Sequence, residues 1–301
     1  MRKIKKATSK VFSVIMVGGK GKRLRPLSTD FKPKAFLSVT SDGKSMFHNT
    51  ISRVAKIIPR RNIIVVANRI HSGLVKKDFP DIQKKNLILE TVSKNTAPAI
   101  TLVTRALEQR KEDAILVVLP TDHYILDEDK QLACLKKGID FVKKNADAMV
   151  TLGLSPTFPS TEFGYIRING SPTEEAEDIY KVKKFVEKPN LGTAEKYVES
   201  GKYLWNTGVF IFRSNTMLKA IKKYAPRIFY GLKYPSRIFE SYEKMPDISI
   251  DYAVIEKADN IYCVKGSYRW NDMGSFGALK RVLKRESRDY IEEDGKIIKI
   301  L

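Results

Sequence analysis

The segment whose residue types most directly suggest chemistry is Val17-Gly18-Gly19-Lys20-Gly21-Lys22-Arg23-Leu24-Arg25-Pro26-Leu27-Ser28, followed by Pro33-Lys34. Its three glycines let backbone N–H groups come close to an anion. Lys20, Lys22, Arg23 and Arg25 put positive charge inside the loop, and Lys34 follows shortly after. Such a site suits a polyphosphate. Two familiar phosphate loops fail on spacing. A dinucleotide fingerprint needs a third glycine where Leu24 stands, and a P-loop needs Gly-Lys-Ser/Thr after four spacer residues.

Acidic residues complete the chemical inventory. Asp122 follows the apolar run Ala114–Leu119, and Asp272 sits in Trp270-Asn271-Asp272-Met273-Gly274-Ser275. A carboxylate at a strand's end, facing a basic phosphate loop, is well placed to bind Mg²⁺, a hard cation that prefers oxygen ligands. Glu187-Lys188-Pro189 also follows a strand pattern. His123 reads as a polar neighbour in a turn, and Trp205 and Trp270 as core residues.

The elements that must position these groups can be read from hydrophobic periodicity. Val11–Val17, Ile63–Ala67, Leu87–Leu89, Ala114–Leu119 and Met149–Leu154 are apolar runs of strand length. Between them, Ile100, Val103 and Leu107 make a helical stripe, as do Leu132, Leu135, Ile139 and Val142. Asn95-Thr96-Ala97-Pro98 supplies a cap and a first-turn proline, so a helix should begin there. Continuous apolar strands alternating with helices imply an α/β fold, a mostly parallel sheet covered on both faces. In such sheets ligands bind at the carboxyl ends of the strands, where the glycine loop and Asp122 both fall. After about residue 155 the pattern changes. Tyr165–Ile168, Ile179–Phe185 and Val209–Phe212 read as strands of an elaboration on the sheet, and Gly295–Leu301 as one more strand.

Gly-Gly-x-Gly-x-Arg-Leu-x-Pro-Leu-Ser with a downstream Pro-Lys resembles the signature of sugar-phosphate nucleotidyltransferases, the nucleotide-sugar pyrophosphorylases. Glu90-Thr91-Val92-Ser93-Lys94-Asn95-Thr96-Ala97-Pro98-Ala99-Ile100 is similar to a segment of the mannose-1-phosphate guanylyltransferase family. Leu119-Pro120-Thr121-Asp122-His123, Phe163-Gly164-Tyr165-Ile166, Phe185-Val186-Glu187-Lys188-Pro189, Trp205-Asn206-Thr207-Gly208 and the Trp270 turn continue the likeness in order, over about residues 11–276. The resemblance implies a Rossmann-like mixed sheet with a sugar-binding elaboration. It also implies transfer of GMP from GTP to mannose 1-phosphate. Gly18, Gly19, Gly21, Arg23, Lys34, Glu90, Asn95, Thr96 and Asp122 would bind the nucleotide. Gly164, Tyr165, Glu187, Lys188 and Asn206 would bind the sugar phosphate. Asp122 and Asp272 would share one Mg²⁺, with Arg23, Lys34, Asp122 and Asp272 as the catalytic set. Guanine presents N–H donors, for which the Glu90 carboxylate is a suitable acceptor. The chain departs from the family at Arg25, where Trp is usual, and at Thr91 and Lys94, which replace Pro and Arg. Family members usually carry a β-helical or isomerase extension beyond the catalytic core, and none is expected within these 301 residues.

Composition bounds the remaining classes. A chain of 301 residues with 43% hydrophobic content can bury a sizeable core and is not a disordered polymer. The expected division is a basic extension over 1–10, a catalytic domain over 11–284 and a short tail over 285–301. Two cysteines, Cys134 and Cys263, make no disulfide framework and lack metal-ligand spacing. They fit a reducing, cytoplasmic setting. A net charge of +21 draws in anions of any kind. A nucleic-acid partner would call for interleaved aromatic and basic residues or a known reading motif, and neither is seen. Another base or sugar would leave the phosphate chemistry unchanged. Val11–Val17 is too short for a signal core without a cleavage site after it. No run approaches the roughly 18 apolar residues that span a bilayer, so no membrane partner is expected. A homodimer is compatible with the sequence.

Overall fold

The computed structural model describes residues 10–300 apart from 20, 41, 234–237 and 294–295. The basic segment 1–9, Lys20, Gly295 and Leu301 therefore lie outside the described residues. The strands are β1 (Lys10–Val17), β2 (Ile63–Asn68), β3 (Leu87–Glu90), β4 (Ala114–Pro120), β5 (His123–Ile125), β6 (Met149–Leu154), β7 (Gly164–Ile168), β8 (Ile179–Val186), β9 (Tyr203–Arg213), β10 (Ile261–Gly266), β11 (Trp270–Asp272), β12 (Tyr290–Glu293) and β13 (Lys296–Lys299). The helices are α1 (Met46–Val54), α2 (Ser72–Asp78), α3 (Thr96–Gln109), α4 (Glu128–Lys144), α5 (Leu191–Ser200), α6 (Ser214–Tyr224), α7 (Pro226–Gly231), α8 (Ile238–Glu243), α9 (Ile250–Ala253) and α10 (Phe276–Arg285).

Nine strands form one sheet in the order β3-β2-β1-β4-β9-β6-β10-β8-β7. The block β3-β2-β1-β4 is parallel throughout, as is the β6–β10 pair. Antiparallel pairing enters with β9, which lies between β4 and β6, and with β8 and β7. Strand β7 also pairs with the first half of β9, so the sheet folds back on itself beside the site.

The apolar runs alternate between two cores. Phe12, Val14, Ile64, Val66, Leu116 and Val118 face one side, with Ile100 and Val103 of α3 and Met217 and Ile221 of α6 packed over them. Ile15, Val17, Ile63, Val65, Ile115 and Val117 face the other, under α1, α2 and α4. This is the period-two alternation of a strand buried on both faces. Each buried Ile or Leu side chain contributes about 1.5–3 kcal/mol of transfer free energy. These parallel strands therefore contribute a large share of both cores.

The expected helix start holds. Asn95 caps α3, its side chain accepting from the Thr96 N–H at 3.0 Å. Two features exceed the sequence reading. Strand β9 begins at Tyr203, running through the Trp205-Asn206-Thr207-Gly208 turn-like motif; Gly208 takes φ +69°, which a glycine tolerates inside a strand. The C-terminal segment pairs β13 with β12 as a hairpin, and Ile291 is fully buried against Leu27, Leu279 and Leu283.

Candidate active site

Strands β1 and β4 are parallel neighbours, with Met16 opposite Pro120, so the glycine loop and Asp122 emerge side by side. The two-stranded ribbon β5–β11 sets Asp272 opposite His123, and the Met273 N–H donates to the Asp122 carbonyl at 2.8 Å. Backbone pairing thereby joins two aspartates that are far apart in sequence.

Lys34 Nζ donates to Asp122 Oδ2, and both side chains are largely buried, 14% and 18% exposed. Burial alone would push the Asp122 carboxyl up, but the Lys34 charge outweighs it and holds the group well below the usual carboxylate range. Asp272 goes the other way. Burial, then the adjacent Asp122 charge, raises it to about 7. Its Oδ1 is buried without a hydrogen-bond partner. Two oxygen ligands on adjacent turns, one of them unsatisfied, fit a hard divalent cation that takes its other ligands from phosphate and water. Arg23 Nη1 donates to Glu162, and Arg23 Nη2 would lie 3.1 Å from a Cβ at Gly274, beside the Asp272 turn. The four residues of the expected catalytic set are thus gathered at one place.

Two cavities flank them. One, of about 240 Å³, lies under the glycine loop and is lined by Gly18, Gly19, Asp30, Asn68, His71 and Ser93, among others. Lys34 lies next to its wall, since a Cβ at Gly19 would stand 4.0 Å from Lys34 Cε. Gly21 packs against Ser28, whose hydroxyl donates to the Gly21 carbonyl at 2.7 Å and braces the loop. The second cavity, of about 220 Å³, contains Asp122, Asp272, Gly164, Glu187, Lys188 and Asn206. Lys188 donates to Glu187 from a left-handed backbone, φ +46°, an unusual conformation for a residue with a side chain. Asn206 donates to Asp251 at 3.1 Å and accepts from Thr151 at 2.9 Å, which fixes its amide.

Four of the expected site residues are placed as follows. The Glu90 carboxylate is not open to a base: it is 5% exposed and accepts a hydrogen bond from Tyr242. Burial raises it to about 7. Thr96, grouped with the nucleotide, lines the Asp122–Lys188 cavity, and its hydroxyl accepts from the Ile250 N–H at 2.8 Å. Tyr165 is fully buried, and its hydroxyl donates to the Ser160 carbonyl at 3.0 Å, so Gly164 alone of that pair borders the cavity. Asn95 is an exposed cap.

Sequence reasoning missed Asp251 and Glu162. Asp251 lines the second cavity, where burial and the neighbouring Glu187 raise it to about 7. In sequence it looks like one more acidic residue in a helix's first turn. Glu162 precedes the Phe163-Gly164 motif directly, and that adjacency was the available signal. Trp270, read as core, has one face in the second cavity. His123 is buried against Trp270, and burial lowers it to about 4, so it stands neutral.

A sheet of this order, with phosphate-sized space under a glycine loop and a carboxylate pair at the ends of adjacent strands, defines an α/β protein of the nucleotide-sugar transferase type. The family model described as nucleotidyl transferase matches residues 12–288, and the chain belongs to that family. It is 36% identical over 290 residues to a mannose-1-phosphate guanylyltransferase of Escherichia coli K12, covering 91% of this chain and 60% of that protein. It is 39% identical over 294 residues to one of Salmonella muenchen, covering 92% and 60%. The chain therefore spans about 60% of the length of these relatives. Among solved structures, a mannose-1-phosphate geranyltransferase from Thermus thermophilus superposes with a TM-score of 0.82 at 34% identity, covering 91% of this chain and 79% of that one. A glucose-1-phosphate thymidylyltransferase fold from Bacillus anthracis superposes at 0.62 and 18% identity, which supports the fold alone. No described helix is long and apolar enough to cross a membrane.

Proposed function

We propose that the protein transfers GMP from GTP to mannose 1-phosphate, releasing pyrophosphate and forming GDP-mannose. The observation that carries this reading is the placement of two cavities on either side of the Lys34–Asp122–Asp272–Arg23 cluster. One is bordered by phosphate-loop glycines, and the other by sugar-hydroxyl partners. The relatives' shared description supplies the base and the sugar.

The nucleophile is a phosphate oxygen, and a phosphate monoester with a second pKa near ~6 is already largely dianionic at neutral pH. No general base is required, consistent with a neutral, buried His123. The obstacle is bringing two anions into contact, so positioning and charge neutralisation provide the acceleration. Arg23 neutralises the leaving pyrophosphate, Lys34 steadies the α-phosphate and Lys188 orients the sugar phosphate. Glu187, Asn206 and Asp251 offer hydrogen bonds to sugar hydroxyls. Asp122 and Asp272 are the residues that would hold Mg²⁺, which when bound supplies Lewis-acid stabilisation of phosphoryl charge. Residues 11–284 form the catalytic unit, with the terminal hairpin packed beneath the phosphate loop.

The test is pyrophosphate release with mannose 1-phosphate and Mg²⁺, with GTP, UTP, dTTP, ATP and CTP offered separately. Release with GTP alone is expected. Release with a different nucleotide and not with GTP would overturn the base assignment, and silence with all five would overturn the activity.

A further inference from the structure

A third cavity, of about 320 Å³, lies behind the site and has no part in the reaction above. Its walls are of two kinds. One is aromatic: Phe158 and Phe163 pack against Trp205 with ring centroids 4.8 and 5.1 Å away, and Phe163 packs against Trp270 at 4.9 Å. The other is cationic, formed by Arg281, Lys284 and Arg285 on the outer face of α10. Among the described residues no carboxylate lines this cavity, and none of the three cations makes an ion pair. In a molecule where most site cations are held by carboxylates, that is unusual.

Two further observations point to a ligand. Trp205 is only 5% exposed, and its indole N–H has no partner; the Trp270 N–H is also buried and unpartnered. An unsatisfied buried donor costs about 1–3 kcal/mol, so it marks a place where an acceptor is missing. Phe158 is meanwhile 39% exposed, with the Arg281 guanidinium 5.6 Å above its ring. One exposed aromatic ring, two unpartnered indole donors in the wall behind it and a fork of uncompensated cations suit a flat heterocycle with acceptors at one end and phosphate at the other.

We propose that this cavity is a second nucleotide site, taking a nucleoside phosphate with the base against the exposed Phe158 ring, at the edge of the Phe163–Trp205 wall, and the phosphates on Arg281, Lys284 and Arg285. Phe163 and Trp270 line both this cavity and the catalytic one, so the wall between them is one side chain thick. Trp270 sits two residues before Asp272 on the same short strand, so the cavity's wall and the carboxylate-bearing turn share one element.

Trp205 and Trp270 are the chain's two tryptophans, so W270F leaves Trp205 as the sole indole reporter. GDP titrated without divalent metal should quench or shift Trp205 emission saturably. Adding R281A/K284A should weaken that Kd at least tenfold. Adding K34M in place of that pair should leave it within about twofold. Arg281 and Lys284 are exposed, and R281Q/K284Q provides a second neutral pair should the alanine variant melt early. Turnover by R281A/K284A in otherwise wild-type protein, without added GDP, should match wild type. The proposal fails if Trp205 does not respond to GDP. It also fails if the response survives both double substitutions or is abolished in K34M protein that urea titration shows to be folded, which would assign it to the catalytic cavity. All these outcomes are read by fluorescence and stand independently of whether pyrophosphate release is observed.

Discussion

Replacing Lys34 by methionine removes a charge while keeping most of the side-chain volume, and its consequences for stability and catalysis separate cleanly. The Lys34–Asp122 pair is largely buried, with 14% and 18% of each side chain exposed. Deleting one member of a buried pair costs about 3–5 kcal/mol, because the remaining charge stays desolvated. Residual exposure puts K34M near the lower bound, about 3 kcal/mol, or roughly a hundredfold in the folding equilibrium. Asp272 adds to the effect, since Lys34 also attracts it. The loss depends on pH in a defined direction. In the wild type Asp122 is held below its unfolded value, so its contribution is present above about pH 4 and lost as pH falls through the folded value. In K34M burial is unopposed by Lys34 and raises Asp122 above its unfolded value, so the penalty should be full at pH 7 and shrink as pH falls through that raised value towards 4. Urea unfolding at pH 7 and at pH 4, for K34M, D122N and K34M/D122N, measures all of this. The double variant should regain about 2 kcal/mol over K34M, since the Asp122 carboxylate is no longer left uncompensated, while pyrophosphate release stays lost. A K34M protein within about 0.5 kcal/mol of wild type at pH 7, the spread of neutral surface changes, would refute the reasoning. So would a double variant no more stable than K34M.

Asp272→Asn should lower kcat by about a hundredfold or more, the scale of losing a preorganised charge partner. Thermal melts with and without Mg²⁺ should show that the fold is intact and that metal-dependent stabilisation is gone. Asp251→Ala removes the acceptor for the Asn206 amide and should raise KM for mannose 1-phosphate about tenfold, a hydrogen-bond-sized loss of ~1.4 kcal/mol, with a smaller change in KM for GTP. Glu90 is raised from 4.5 to about 7 by burial, so its stabilisation is complete below pH 4.5 and lost as pH rises through 7. Urea midpoints of E90Q should therefore fall less steeply than those of wild type between pH 5 and 8; identical slopes would show that Glu90 does not titrate there.

The parallel half of the sheet was legible because it is encoded locally. β1, β2, β4 and β6 are short, mostly apolar runs of strand length, and the Asn95-Thr96-Ala97-Pro98 cap marks its helix without tertiary help. Asp122 and the glycine loop were legible for the same reason, since each ends such a run. What escaped depended on partners distant in sequence. Glu90 looks available until Tyr242, brought in by α8, takes its carboxylate. Asp251 looks like a helix-end acid until Asn206 reaches it from β9. Strand β9 is longer than its sequence suggests because Asn206 and Gly208 look like a turn, whereas pairing with both β6 and β7 holds that stretch extended.

The charge balance of the cleft explains why the overall +21 is insufficient for polyphosphate chemistry. Arg23, Lys34 and Lys188 are each tied to a carboxylate, namely Glu162, Asp122 and Glu187. Asp272 and Asp251 add two more acids, both raised to about 7 and so partly neutral. These pairs hold the cations in place, so their positions are set before phosphate arrives and little reorganisation remains for the reaction itself. They also cancel the field that would draw phosphate in, leaving the basic surface to raise the local anion concentration and the cleft to select. A divalent cation held by Asp122 and Asp272 would change that balance. It would compensate both aspartates, and Lys34 would then be charged, positioned and able to turn from Asp122 to a phosphate oxygen. Phosphate affinity and metal affinity should therefore rise together and fall together when either aspartate is neutralised. A site whose cations were simply free would show phosphate binding that is strong without metal and indifferent to the aspartates.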